Sequence, residues 1–407
     1  VTAGSGTGVA PTLAMTGSGS TANAPAGSSL FVKIVGISSV MTVSGTANGN
    51  DGATVKVALG ASVQAQTTTI SSGTWTIADV TKPSVGTAVT VWVDSVADNL
   101  ESTAVTLYNS SPVSDLVLNT NVLTLGSNQD QSLSLTNLNS YDCSEDEDIM
   151  HQAASSHLKV EGDACAGSTT NSYSSEKLAV LSGDTLALAT SETITTYDLE
   201  NAGTITVTGN GTLNVSHDWT NTGTFTAGTS TVNLTGGDST TQTIAGDTTF
   251  YNLTASTTSN SAGRTIEYTA GTTTTVSGTW TATGTNTKIL TLESSTASTW
   301  IITPTAASVS YVSVSYSKNH GVDFCATNTT DGGNNTRWRT TCEPTAQGFQ
   351  RKTFFDDQNS RYWRFSTDGT DIDAEYSSDG TSWSASTTLP YNTNDFSVEY
   401  KSISGTE

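Results

Sequence analysis

The sequence predicts an all-β protein made of more than one unit, and three observations carry that reading. Thr, Ser, Gly, Asn and Val dominate the chain; Thr and Val are β-branched and suit pleated strands, while Gly, Asn and Ser suit the turns between them. The apolar residues recur in short alternating runs, and no segment joins helical apolar spacing to helix-forming residues over a long stretch. At 407 residues the chain exceeds one ordinary all-β core.

Taken in order, residues 1–27 are rich in Gly, Ser and Ala and read as an extended arm or linker, with Val9, Leu13 and Met15 as apolar points along it. Residues 28–110 break into alternating runs. Val55, Val57 and Leu59 share one face opposite Thr54 and Lys56; Trp75 with Ile77, Val89 with Val91 and Val93, and Val105 with Leu107 repeat the pattern. Short strands divided by turn residues in this way predict an immunoglobulin-like sandwich.

Residues 111–344 carry a degenerate repeat: Gly203-Thr204-Ile205, Gly211-Thr212-Leu213, Gly223-Thr224-Phe225, Val232 with Leu234, and Phe250 with Leu253. Very short strands interrupted by Gly or Asn suit a right-handed parallel β-solenoid with rungs of about twenty residues. Tandem β-sandwiches are the alternative for this stretch. In residues 345–407 aromatic and acidic residues rise together, and two hairpin-like units predict a short antiparallel β unit like one propeller blade.

Several of these runs resemble known families. GTANGNDGATVKVAL and GTWTIADV resemble the immunoglobulin-like repeats of bacterial surface proteins. Gly223 to Gly228, Phe250 to Thr254 and Asp331 to Trp338 resemble elements of repetitive bacterial β-helix surface proteins. Ser377, Asp379, Gly380 and Trp383 resemble the Asp-box of sialidase-like propellers, one residue short between Asp and Gly. The resemblances imply an extracellular or cell-surface location and a structural or adhesive role.

Charge narrows the partners. The chain holds 37 acidic against 15 basic residues, a net charge of -22, which repels phosphate backbones and disfavours nucleic acid. No apolar stretch is long enough to span a bilayer. Cys143 with Cys165 and Cys325 with Cys342 form two sequence-local pairs, the favoured of three connectivities, and predict loop-closing disulfides of an exported protein.

The most chemically loaded stretch is DCSEDEDIMHQAASSHLKVEGDAC, residues 142–165. Its Asp142, Glu145, Asp146, Glu147 and Asp148 supply oxygens for calcium, the one structural ion the sequence nominates, since a hard cation takes six to eight of them. The plainer reading is an acidic surface insertion closed by a disulfide; His151 and His157 sit at spacings that match no usual zinc set. His217 beside Asp218 suggests a His-Asp pair, but neighbours on a strand point to opposite faces. Asp356, Asp357, Asp368, Asp371, Asp373 and Glu375 include material for a glycosidase pair, without the further blades such an enzyme needs. Tyr362, Trp363 and Trp383 are candidates for stacking on sugar rings.

No catalytic residue is nominated and no enzyme activity is expected. The expected function is a structural subunit of an extracellular filament or surface layer, joining copies of itself head to tail through β-strand contacts. The alternative is the stalk of a cell-surface adhesin whose C-terminal region binds surface glycans.

Overall fold

A computed structural model describes residues 39–97, 100–154, 156–162, 165, 176–322, 324–338, 353–356, 359–367, 372–384 and 387–389. The chain divides into two compact units, Val1–Ser39 and Val40–Glu407, and every element below belongs to the second. The arm residues Val9, Leu13 and Met15 lie outside the described residues.

The fold is all-β. Strand Val40–Asn48 sits between Thr74–Thr81, antiparallel to it, and Val113–Asn119, parallel to it, in a three-stranded mixed sheet. That sheet faces the strands Thr54–Leu59, Ala88–Asp94 and Ser102–Leu107. The alternation read from the sequence supplies the interior: Val43, Val55, Val57, Trp75, Ile77, Val89, Val91, Val93 and Leu116 form one buried cluster. The two layers make a sandwich, and its last strand, Val113–Asn119, is followed directly by the coil.

Sandwich and coil share a sheet. Strand Ser102–Leu107 pairs antiparallel with Ala88–Asp94 on one side and parallel with Val122–Leu125 on the other. From there the same 14-stranded sheet continues through the coil to Thr330–Asp331. All six residues of Ser102–Leu107 are buried, as a strand covered on both faces must be. Ala104 belongs to the sandwich interior, whereas Val105 and Leu107 belong to the interior of the coil.

The coil is a parallel β-solenoid with three faces, which excludes tandem sandwiches for this stretch. One turn runs Lys177–Val180, Thr185–Leu188, Thr193–Thr196; the next runs Asp198–Asn201, Thr204–Val207, Thr212–Val215, pairing strand for strand with the first. Three inward ladders fill it. Leu123, Leu178, Leu199, Trp219, Ile244 and Tyr268 stack in register on the first face. Leu133, Leu186, Ile205 and Phe225 line the second, and Leu158, Ile194, Leu213, Val232, Leu253 and Trp280 the third. Thr and Asn hold the outward positions, as a period of two requires. Later turns lengthen: Thr273–Thr283 and Trp300–Ser310, 11 residues each, run across two faces with a register shift between them.

The repeated Gly-Thr pair has a steric cause. A Cβ on Gly203 would lie 2.1 Å from Leu181 O, and one on Gly223 would lie 2.1 Å from Gly203 O. At this corner one rung therefore rests on the backbone of the rung before. Just ahead of these glycines, buried Asn201 and Asn221 point inward. Asn201 Nδ2 donates to Asn221 Oδ1 at 2.9 Å and to Thr224 O at 2.9 Å, while Asn221 Nδ2 donates to Thr248 Oγ1 at 3.1 Å. This ladder gives partners to both buried amide NH2 groups and to Asn221 Oδ1, while Asn201 Oδ1 is left unpaired.

At the C-terminal end, Thr353–Asp356, Arg361–Thr367, Ile372–Ser377 and Thr387–Leu389 form a four-stranded antiparallel sheet in sequence order.

Candidate functional site

The cysteine-bounded segment works as a strap. Cys143 and Cys165 are bonded across a separation of 22 residues with Cα atoms 5.6 Å apart. Cys325 is also disulfide-bonded; Cys342 lies outside the described residues. The segment lies against the face of the shared sheet that points away from the sandwich interior. Tyr141 and Ile149 pack on Trp92 and Ala58 as a separate apolar cluster, with the Trp92 and Tyr141 rings 5.2 Å apart. Met150 N donates to Thr103 Oγ1 at 3.2 Å. His151 is fully buried with Nε2 3.3 Å from Leu138 O, and burial pulls its pKa down to about 4, so the imidazole is neutral at ordinary pH.

Its acidic residues separate into two groups. Asp142 is buried and occupied: Oδ2 accepts from Ala153 N at 2.7 Å, and Oδ1 from Ser144 N at 2.8 Å and Ser144 Oγ at 2.7 Å. Glu145 Oε2 accepts from Asp142 N at 2.9 Å, and Glu147 is exposed. Asp146 and Asp148 instead meet Asp94, from the strand beneath, with one oxygen of each within 4.8 Å of the others. Lys56 pairs with Asp94, which raises the Lys56 pKa, and its Nζ lies 3.7 Å from Asp146. Ser95 N donates to Asp148 Oδ2 at 2.9 Å, and burial raises the Asp148 pKa. Two of the three carboxylates thus flank one ammonium.

His217 and Asp218 lie in a bend ahead of Trp219–Asn221, not on a strand as the sequence reading supposes, so both reach the same corner. His217 Nδ1 is 2.8 Å from Asp198 Oδ1 and 3.5 Å from Asp218 Oδ1, and its ring stacks on Tyr197 at 4.7 Å. The carboxylates are also structural. Asp198 Oδ1 accepts from Asp218 N, and Asp218 Oδ1 from Thr243 N, each at 2.8 Å. The group ties three successive rungs together.

Buried charge elsewhere also joins rungs. Arg264, 2% exposed, donates through Nη1 to Gln242 Oε1 at 2.7 Å and through Nη2 to Leu234 O, while Gln242 Nε2 donates to Val215 O at 2.9 Å. Burial pulls the guanidinium pKa down to about 10. Asp184, buried where the second face begins, accepts from Ser127 N at 3.0 Å and Gln131 N at 3.2 Å. Desolvation nevertheless pushes its pKa up to about 6. Burial likewise pushes Glu176 up to about 7, with the Glu161 charge adding to it. Sequence reading misses these groups, since only their depth distinguishes them from surface charge.

On the C-terminal sheet, Asp356 accepts from Asn359 Nδ2 at 2.7 Å, Asp373 from Thr388 Oγ1 at 2.9 Å, and Glu375 from Arg364 Nε. Asp357, Asp368 and Asp371 lie outside the described residues. Asp379 Oδ1 accepts from Thr381 N at 2.8 Å, Ser382 N at 2.7 Å and Ser377 Oγ at 2.9 Å, closing the turn and holding its carboxyl far below the usual range. Tyr362 and Trp383 border one cleft of this sheet; Trp363 does not.

No protein-family model, curated protein or solved structure matches the chain. Among the described residues no helix is long and apolar enough to cross a membrane.

Proposed function

We propose that the chain is a structural subunit of an extracellular filament or surface layer. The observation that carries this reading is the single hydrogen-bonded sheet running from the sandwich through the coil. In such a body a pull at one part is shared along a backbone ladder instead of falling on a flexible linker. The polar groups inside it, Asn201 with Asn221 and Arg264 with Gln242, are spent on joining rungs. A loop-closing disulfide suits work in an oxidising space.

Contacts between copies would run through strand addition. Among the described residues the outer strands of the mixed sheet, Thr74–Thr81 and Val113–Asn119, have one sheet neighbour each. Thr74–Thr81 offers an edge of 8 residues, long enough to accept an extended segment, whereas in the 7-residue Val113–Asn119 both backbone groups of Ser114 are already bonded to Asn128. The Gly/Ser-rich arm of residues 1–27, with Val9, Leu13 and Met15, is the segment we assign to that role in the next copy.

Electron microscopy of the purified chain at physiological ionic strength, with and without residues 1–27, tests the reading. Ordered polymers that vanish on deleting the arm are expected. Isolated particles under every condition would overturn it.

A further inference from the structure

The C-terminal sheet carries a cleft bordered by aromatic residues. Phe355 pairs with Tyr362 and Phe354 with Trp363 in the register of its first two strands. Side chains alternate along each strand, so Trp363 projects to the face opposite Tyr362. The Phe355 and Tyr362 rings lie 4.7 Å apart, tilted by 56°, and are 45% and 43% exposed. With Thr353, Gly380, Trp383 and part of Phe354 they border a cleft of about 410 Å³. The Arg364 guanidinium carbon lies 4.4 Å from the Trp383 ring centroid.

We propose that this cleft binds a pyranose unit of a neutral saccharide. A cleft of this size falls within the usual range for small ligands, and its walls offer two kinds of surface. A pyranose has apolar C–H faces and a rim of hydroxyls. The Tyr362, Phe355 and Trp383 rings match the faces, and the Thr353 and Tyr362 hydroxyls, both exposed residues, match the rim.

Electrostatics decides between neutral and acidic sugars. Among the described residues, those bordering the cleft are uncharged. The nearby cation, Arg364, is neutralised by Glu375, and the nearby anion, Asp379, is turned inward on its own turn. With a net charge of -22 on the chain, an acidic glycan meets general repulsion, and Arg364, already paired, is the cation found beside the cleft among the described residues.

The test uses the full chain with cellohexaose, chitohexaose and mannohexaose as neutral probes and hexagalacturonate as the acidic one. Binding is read by saturation-transfer NMR and tryptophan fluorescence. At least one neutral probe should bind. Tyr362→Ala and Trp383→Ala should each weaken it about tenfold, Tyr362→Phe should keep most of it, and Trp363→Ala, on the other face, should leave it within about twofold. Binding of the acidic probe alone, neutral binding that survives Tyr362→Ala, or no binding of any neutral probe would each overturn the proposal. So would a Tyr362→Ala chain that binds no sugar differently but loses self-association, which would assign the face to a second copy. Polymer formation is scored separately by microscopy, so this site can fail without the filament reading failing.

Discussion

Replacing Gly223 by Ala separates two accounts of the repeated Gly-Thr corner, because they differ in sign. Gly223 does not need a left-handed backbone. If the glycine served only the backbone, alanine would reduce the freedom of the unfolded chain and stabilise the fold by about 0.4–1 kcal/mol. The packing says otherwise. The added methyl would lie 2.1 Å from Gly203 O and 2.7 Å from Ala202 C, both main-chain atoms of the preceding rung. Neither can rotate away, so the rungs must part. Forced overpacking costs about 1–3 kcal/mol, and a clash with backbone belongs at or above the top of that range. A loss of about 3 kcal/mol is therefore expected. Gly237→Ala is the control: its nearest neighbour would be Thr240 Cγ2 at 3.8 Å, so it should be neutral or slightly stabilising. Urea unfolding followed by circular dichroism reads both, with the slope checked for constancy so that the midpoint reports stability. A Gly223→Ala chain as stable as the parent would refute rung-on-rung contact as the reason for the motif.

Two further outcomes follow from the buried chemistry. Cys143→Ser with Cys165→Ser opens a loop closed across 22 residues and should cost about 3 kcal/mol; it should also expose the strap to limited proteolysis, and unchanged protease resistance would mean the packing on Trp92 suffices alone. Glu176 and Asp184, raised to about 7 and about 6, hold protons in the folded chain that the unfolded chain has released, so stability falls as pH rises from about 4.5 through 7. His151, lowered to about 4, acts in the opposite sense: stability is lost as pH falls below about 6.5. Together they should make the chain about 1 kcal/mol more stable near pH 6 than near pH 8. Glu176→Gln should abolish or reverse that difference; urea midpoints at the two pH values check it, and an undiminished difference in the variant would assign the effect elsewhere.

Much of the architecture is legible because strands write a period of two into the sequence. Val55, Val57, Trp75 and Ile77 fall on the interior as their alternation requires, and Leu213, Val232 and Leu253 reveal the coil. Connections between distant segments are less legible. The run Ala88–Asp94 is apolar at consecutive positions, the mark of a strand covered on both faces, yet nothing in it names the strap that covers Trp92. Asp94 meets Asp146 and Asp148 only because the strap folds back over its strand, so a reading of the acidic loop by itself does not find that trio. Asn201 and Asn221, 20 residues apart and each two places ahead of a corner glycine, are a signal that spacing could have found. Arg264 left none: its significance is its depth.

The shared strand also gives the coil unlike ends. On its first face the opening strand Val122–Leu125 is already occupied by Ser102–Leu107, and on its third face the opening strand His157–Val160 is met by His151–Ala154 running the opposite way. Among the described residues, the far end finishes in the parallel pieces Ala326–Thr327 and Thr330–Asp331, 2 residues each. The two ends of the described coil are not interchangeable, so copies joined head to tail, as proposed above, would meet through dissimilar surfaces with no two-fold axis between them. A thread built in that way would have polarity: one tip would be chemically distinct from the other, and growth would have a direction.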